Sequence, residues 1–381
     1  MKATHILFIA LAATIGFTSC KKKKKTEEEV PEVTIGGTVN SPLTVADVNS
    51  DPNVPDYCLS EDWILNANVT IAPGVVICAK PGVQIKVNAN GSLNATGTAA
   101  QPIVFKGEQP TAGFWTGIIF SYSNSPNNKL IHCTVSDAGG DANWDAAVYG
   151  YASSQFTMDY ATVTRSARSG ILIYSADVVL NQFTNVNVTN CGEFPLKLLA
   201  NQVHSVDGTF TASNNVQNVI RVLDENINTP RTWKKTTIPY LISGEVGVNA
   251  ALTINPGATF RFTSTGALKM NSGGSLNAIG TAADKIIFTG EYSSPGAWRG
   301  ILFSYSNSVN NIMRHCDVSF GGNDANWDGN VYLYAGSQLV MGNTAVHDSQ
   351  RFGLVDYQND NTFTDEGTNN FYNNASGNFG N

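Results

Sequence analysis

The sequence predicts an all-β chain wound as a solenoid of short parallel strands, and three observations carry that prediction. Composition is the first: 35 glycines, only 14% charged residues and long stretches of Asn, Ser, Thr and Val are poor helix material and good strand-and-turn material. The second is an internal duplication. "TIAPGVVI" from Thr70 answers "TINPGATF" from Thr253, and "GSLNATGTAAQPIVFKGE" from Gly91 answers "GSLNAIGTAADKIIFTGE" from Gly274. Trp115/Trp298, His132/His315, Asp141/Asp324 and Met158/Met341 keep the same offset of 183 residues. The match runs without a gap from about Val69 to Gly170, so each turn has a fixed length, as stacking requires. The third is the texture of each copy: short apolar runs (Val83, Ile85, Val87; Ile103, Val104, Phe105; Ile118, Ile119, Phe120; Cys133, Val135) recur roughly every 20 to 25 residues between Gly, Asn or Pro-Gly turns.

A sandwich with long connections also needs many short strands. Asn and Gly, however, recur at matching points in "NANGSLNATG", "SYSNSPNN" and "LNQFTNVNVTN". Coil corners need residues that tolerate left-handed backbone angles, and stacked Asn amides can bond along a ladder. The phrases "TWKKTTIPYLISGEVGVNAALTINPGATFRF", from Thr232, and "GGSLNAIGTAADKIIFTGEYSSPGAWRGILFSYSNS", from Gly273, resemble the right-handed parallel β-helix repeats of Bacteroidota surface lipoproteins, related in architecture to pectate-lyase-like proteins. The resemblance covers most of 69–381 and implies a right-handed parallel β-helix solenoid built from two tandem copies with a period of about 183 residues. It implies no activity, because that fold hosts enzymes, adhesins and spacers. A dozen or so coils about 4.8 Å apart would make a rod on the order of 60 Å.

The expected organisation is a signal peptide over 1–19, a lipidated Cys20 and charged tether over 20–33, a lead-in or cap over 34–62, a first repeat over 63–245 and a shorter second repeat over 246–381. Lys2 and the apolar run from Ile6 to Phe17 are too short for a membrane span and fit an export signal. Thr18-Ser19-Cys20 resembles the lipobox of bacterial lipoproteins, with Phe17 where Leu is usual. That resemblance implies a membrane anchor at Cys20. The tether "KKKKKTEEEVPEV" is similar to the signals that send Bacteroidota lipoproteins to the outer face of the outer membrane, the periplasmic face being the alternative.

The net charge is −7, and five of the 23 basic residues sit together at Lys21 to Lys25, which leaves an acidic body unsuited to nucleic acid. No C-x-x-C spacing occurs; Cys58 and Cys78, present only in the first copy, are a candidate disulfide in an oxidising compartment. Cys133 and Cys316 share a repeat position and read as small buried hydrophobes.

For glycan hydrolysis the chain lacks the clustered carboxylates of the polygalacturonase type: adjacent acids outside the tether occur only at Glu61-Asp62, Asp224-Glu225 and Asp365-Glu366. A polysaccharide lyase acting on uronate glycans would need an Arg or Lys base, and Arg165, Arg168, Lys197, Arg299, Arg314 and Arg351 are candidates, none of them repeated. His132 and His315 recur two residues before Thr134 and Asp317, a parity that turns them outward as surface-ladder residues.

The strongest site candidate is the loop written twice. Asp141-Ala-Asn143-Trp144-Asp145 and Asp324-Ala-Asn326-Trp327-Asp328 match the first half of a Ca²⁺ loop, whereas Ala152 and Ala335 stand where the bidentate Glu of an EF-hand belongs. Three readings stay open: Asp and Asn capping a tight turn, a looser Ca²⁺ site, and a glycan platform in which Trp144, Tyr149 and Tyr151, or Trp327, Tyr332 and Tyr334, offer flat faces to sugar rings. The expected function is a non-catalytic, lipid-anchored cell-surface protein that binds glycan or protein partners, with a lyase or a passive spacer as alternatives.

Overall fold

Alternation along each strand decides what lies inside. Gln84–Val87 buries Ile85 and Val87 and turns Gln84 and Lys86 outward; Ile103–Gly107 buries Ile103 and Phe105 and turns out Val104 and Lys106. The computed structural model, which describes residues 34–381, repeats this arrangement along its length. The signal peptide, Cys20 and tether expected over 1–33 lie outside the described residues. All strand pairs are parallel, for the chain crosses over after each strand and returns one coil later, making the described residues a parallel β-helix solenoid.

Three strands make a coil. Ser92–Thr96, Ile103–Gly107 and Gly117–Ser121 form one; Lys129–Ile131, Cys133–Ser136 and Ala146–Tyr151 form the next, each in register with its counterpart (Asn94↔Lys129, Ile103↔Cys133, Ile118↔Val148). The lead-in is already coiled, since Thr34–Val39 pairs with Tyr57–Leu65. From there one column of fourteen strands runs to Asn370–Tyr372. At about 4.8 Å per coil that column is about 60 Å long.

Inside the coils a continuous apolar core carries stacked rings: Phe120 on Phe156 (4.8 Å), Tyr240 on Phe260 (5.2 Å), Phe260 on Phe288 (5.6 Å) and Phe262 on Trp298 (4.1 Å). Each fully buried side chain of this size contributes about 1.5 to 3 kcal/mol. Trp115 and Trp298 are wholly buried, and each indole N–H donates to a carbonyl at 2.7 Å, Ser136 and Ser319 respectively. Asn128 and Asn311, equally buried, lock their turns by donating to Ser123 and Ser306.

Single residues with left-handed backbone angles make the corners: His132 (φ 48°), Tyr160 (φ 47°) and Asn185 (φ 53°) in the first copy, His315 (φ 49°), Asn343 (φ 51°) and Thr368 (φ 61°) in the second. The histidines therefore sit at corners between strands, and strand parity does not apply to them. His132 still joins a surface ladder, with its ring stacked on Tyr160 at 4.8 Å. Asn ladders form as expected: Asn88 donates to Asn66 (2.9 Å) and Asn66 to Asn40 (3.0 Å); Asn271 donates to Asn249 (2.9 Å) and Asn249 to Asn228 (2.7 Å).

Along the long column the two copies differ by one strand. From Ala146–Tyr151 the long column continues through Ser169–Ile173, Leu196–Leu199, Ile220–Leu223, Tyr240–Ile242, Thr259–Phe262 and Ile286–Gly290 to Cys316–Ser319, seven coils on. The repeat equivalent of Ala146–Tyr151 is the following strand, Gly329–Tyr334, which belongs to a different sheet. On the side that carries Lys129–Ile131 the offset of 183 residues is instead seven coils, running through Gln155–Asp159, Val179–Thr184, the turn Ala200–Ser205, Arg231–Trp233, Ala251–Ile254 and Ser275–Ile279 to the equivalent strand Ile312–Arg314.

Cys58 and Cys78 are opposite one another on Tyr57–Leu65 and Val76–Ala79, Cα atoms 4.4 Å apart and sulfurs bonded. Their neighbours Leu59, Ile77 and Ala79 point into the core, so the disulfide staples two coils from outside. It closes a loop of sequence separation 20, which in the chain-entropy model stabilises by about 3 kcal/mol. Reduction, or Cys78→Ala, is therefore expected to lower the urea midpoint of the mature protein; an unchanged midpoint would contradict this role.

Candidate functional site

Solenoid surfaces are normally polar, which makes two outward apolar rows conspicuous. On the long column Ile119, Tyr149 and Leu172 stack in register outside the coil, and Leu302, Tyr332 and Val355 do the same in the second copy. Each row is headed by a lysine on the preceding coil, Lys86 or Lys269. Gly117 and Gly300 (both φ 127°) open the strands that carry Ile119 and Leu302, and a Cβ at Gly117 would collide with the Ala147 carbonyl of the next coil.

The repeated loop folds over these rows. Trp144 packs edge-on against Tyr149 (centroids 5.2 Å, 71°) and Trp327 packs on the second row. Further rings extend each platform. Tyr174 lies 6.1 Å from Tyr149 and 6.3 Å from Tyr151, while Tyr357 lies 5.9 Å from Tyr332 and 5.6 Å from Tyr334. Tyr122 meets Tyr151 edge-on at 5.6 Å, as Tyr305 meets Tyr334 at 5.4 Å. Tyr149 and Tyr332 are buried beneath; Tyr122, Tyr174 and Tyr305 are more than half exposed. Burial, helped by Tyr357 and Asp328, pushes the Tyr332 hydroxyl up to about 12, so it remains a neutral hydrogen-bonding group.

All six aromatic residues singled out in the sequence thus come together as two clusters, three in each. Sequence reading missed Tyr122/Tyr305, Tyr174/Tyr357 and Lys86/Lys269, although every pair keeps the 183-residue offset. The Tyr174 pair lies just past the end of the ungapped match. In the second copy a groove of about 490 Å³ opens between the loop and the sheet, lined by Lys269, Asn326, Trp327, Tyr332, Tyr334 and Tyr357 among others.

The carboxylates do not turn toward one point, as the Ca²⁺ reading required. Asp141 accepts from the Asn143 backbone N–H (2.8 Å) and side-chain amide (2.9 Å), and Asp324 accepts from the Asn326 N–H (2.8 Å), which makes both of them turn caps. Asp145 pairs with Lys197 (2.7 Å) and Arg168 (3.4 Å); Asp324 with Arg299 (2.8 Å); Asp328 stands 2.9 Å from Arg351 as an ion pair without an aligned hydrogen bond. Burial disfavours the charged form of Asp324, but the Asn326 amide and the Arg299 guanidinium outweigh it and hold the pKa below the usual carboxylate value. Among the described residues no group of three or more His, Cys, Asp or Glu is placed to hold a metal. The partners that neutralise these acids come from other coils, so the loop's own spacing could not reveal them.

The same pairing occupies the lyase candidates. Arg165 holds Asp137 (2.7 Å), Arg168 Asp145 (3.4 Å), Lys197 Glu193 (2.6 Å), Arg299 Glu245 (2.7 Å), Arg314 Glu366 (2.6 Å) and Arg351 Asp328 (2.9 Å). Arg299 also lies over the Trp327 ring, 3.9 Å from its centroid, and Lys86 sits 5.5 Å from the centroid of Trp144. The thiols of Cys133 and Cys191 are pushed up to about 12 and about 11 by burial, and Cys316 is raised for the same reason. These are core residues without nucleophilic character.

His347 is held between two acids, Nδ1 at 2.6 Å from Asp348 and Nε2 at 3.1 Å from Asp317, with its ring stacked on Tyr372 at 4.5 Å. The hydrogen bond to Asp317 is the main cause of its raised pKa; burial opposes it and Asp348 adds to it. Compared with family models, curated proteins and solved structures, the chain matches none.

Two outcomes follow from these contacts. Millimolar Ca²⁺ is expected to leave the melting temperature unchanged; a rise that disappears in Asp324→Asn would reinstate a cation site. For His347 a raised folded-state pKa means stabilisation that is full below the ordinary value of about 6.5 and is lost as pH rises through the folded value. Wild type should therefore lose stability relative to His347→Gln as pH is raised above about 6.5. Parallel profiles for the two proteins would refute the linkage.

Proposed function

We propose that this chain is a non-catalytic cell-surface β-helix protein of the Bacteroidota lipoprotein type, anchored to the outer membrane through Cys20, that binds glycan chains on its aromatic platforms. The observation that carries the reading is the outward cluster around Trp327. Flat aromatic faces suit the apolar faces of sugar rings, and the flanking tyrosine hydroxyls, Asn326 and Asp328 suit their hydroxyl groups. Lys269 and Lys86 at the heads of the rows add a cation for a carboxylated sugar. The anchor and surface location rest on the lipobox and tether of the sequence. Lyase chemistry gains no support from candidate bases that are each paired with a carboxylate.

Affinity electrophoresis of the mature protein through gels containing polygalacturonate, alginate, xylan, xyloglucan or mixed-linkage glucan tests the proposal. At least one should retard the wild type, and Trp327→Ala should weaken that retardation about five- to tenfold, the worth of one aromatic contact. No new absorbance from unsaturated sugars is expected with the uronate polymers. Unretarded migration through every gel would leave a passive spacer or a protein ligand as the better account.

A further inference from the structure

The two aromatic rows share a pattern of rings but not of charges. In the second copy every cation of the row and its loop is paired. Lys269 stands 3.7 Å from Glu245, Arg299 2.7 Å from Glu245 and 2.8 Å from Asp324, and Arg351 2.9 Å from Asp328. Past Val355 that row reaches Gly380 and carries no further cation. In the first copy Asp62 holds the position of Glu245 and accepts from the Gln84 side-chain amide at 2.7 Å, while Thr116 replaces Arg299. Lys86 is thereby left without a carboxylate partner among the described residues. The first row also continues in register beyond Leu172, through Lys197 and Arg221 on the next two coils and Arg261 two coils further. Lys197 is committed to the fold, since with Arg168 it balances Asp145 and Glu193. Arg221 and Arg261 have no ion-pair partner among the described residues. Arg221 lies over Phe194, 5.0 Å from the ring centroid, and its Nε is shielded from solvent without a hydrogen-bond partner, a state that costs free energy until an acceptor is supplied.

We infer that the first platform binds an acidic polysaccharide laid lengthwise along the long column, with sugar rings on Trp144 and Tyr174 and anionic groups on Lys86, Arg221 and Arg261. This rests on the glycan reading above. Lys86, 5.5 Å from the centroid of Trp144, sets the first cation beside the ring on which a sugar would stack. Arg221 follows five coils later, about 24 Å away, and Arg261 seven coils later, about 34 Å away. Both separations exceed the Debye length of about 8 Å at physiological ionic strength, so each cation acts on its own stretch of ligand. A single sugar acid cannot engage two of them; a chain with repeated charge can. The anionic group is a carboxylate or a sulfate, since an exposed Lys or Arg takes either. A neutral polysaccharide gains nothing from these cations, and the second platform, whose cations are paired, offers rings and hydroxyl partners without them.

Charge variants of the mature protein test this in gels containing polygalacturonate or alginate (carboxylate), carrageenan (sulfate), or xyloglucan or mixed-linkage glucan (neutral). At least one acidic polymer should retard wild type, and whether it is a carboxylated or the sulfated one identifies the anionic group. Arg221→Gln with Arg261→Gln should weaken that retardation about fivefold, the worth of two exposed charge contacts. Lys129→Gln with Lys285→Gln, which removes the same charge away from the row, should leave it unchanged. Arg261 is exposed, so Arg261→Gln alone, with about a twofold loss expected, decides if the first double variant fails to fold. The monomer of the retarding polymer, at the same sugar concentration, should not release the protein. Equal retardation of the two double variants would overturn the row as the site, as would release by the monomer. Retardation by neutral polymers alone would overturn the acidic ligand while leaving the glycan reading intact. Free migration of wild type through every gel would instead sink the glycan reading itself.

Discussion

The rest of this structure depends on one constraint: each strand finds its backbone hydrogen bonds on the coils above and below. A parallel stack satisfies the N–H and C=O groups of every interior coil only if strands keep register with their counterparts. Turn lengths are then fixed, corners fall at constant places, and the same side-chain type recurs along each row. Asn66 bonds to Asn40 and Asn88 to Asn66 because register sets their amides one above the other. The core rings of Tyr240, Phe260 and Phe288 stack for the same reason.

That constraint also shapes the surface. A row of outward residues is either a ladder of like groups or a site, and here both occur on the same column. Ile119, Tyr149 and Leu172 form an apolar stripe that would be a liability on a solenoid surface without Trp144 across it. The acidic loop that brings each Trp is held down by arginines and lysines from neighbouring coils, which gives the carboxylates a structural role in aiming the indole. The second platform is carried by a different sheet from the first, the one that pairs Gly300–Ser304, Gly329–Tyr334 and Phe352–Asp356.

Much of this was legible in the sequence, for identifiable reasons. The coil was readable because register forces repetition, and the core positions because alternation is strict. Membership of the platforms was partly readable: Trp144, Tyr149 and Tyr151 stood together in the repeated loop, whereas Tyr174 was concealed by divergence around it. Three things were hidden. The corner at His132 looked like mid-strand, since a single left-handed residue leaves no gap in the pattern. The cations that neutralise Asp324 and Asp328 come from Arg299 and Arg351, which do not recur and drew attention as lyase candidates instead. The change of sheet between the two platforms was hidden because an offset in residues does not say which sheet a strand joins.

A distance between equivalent points of the two copies tests the in-register stacking most directly. Tyr122 and Tyr305 are both more than half exposed and stand at the same repeat position, and the buried thiols of Cys133, Cys191 and Cys316 would not compete for a spin label. With nitroxides on Tyr122→Cys and Tyr305→Cys, a pulsed dipolar measurement should give a separation of at least about 34 Å, the rise of seven coils. A distance well short of that rise would contradict the stacked, in-register coil.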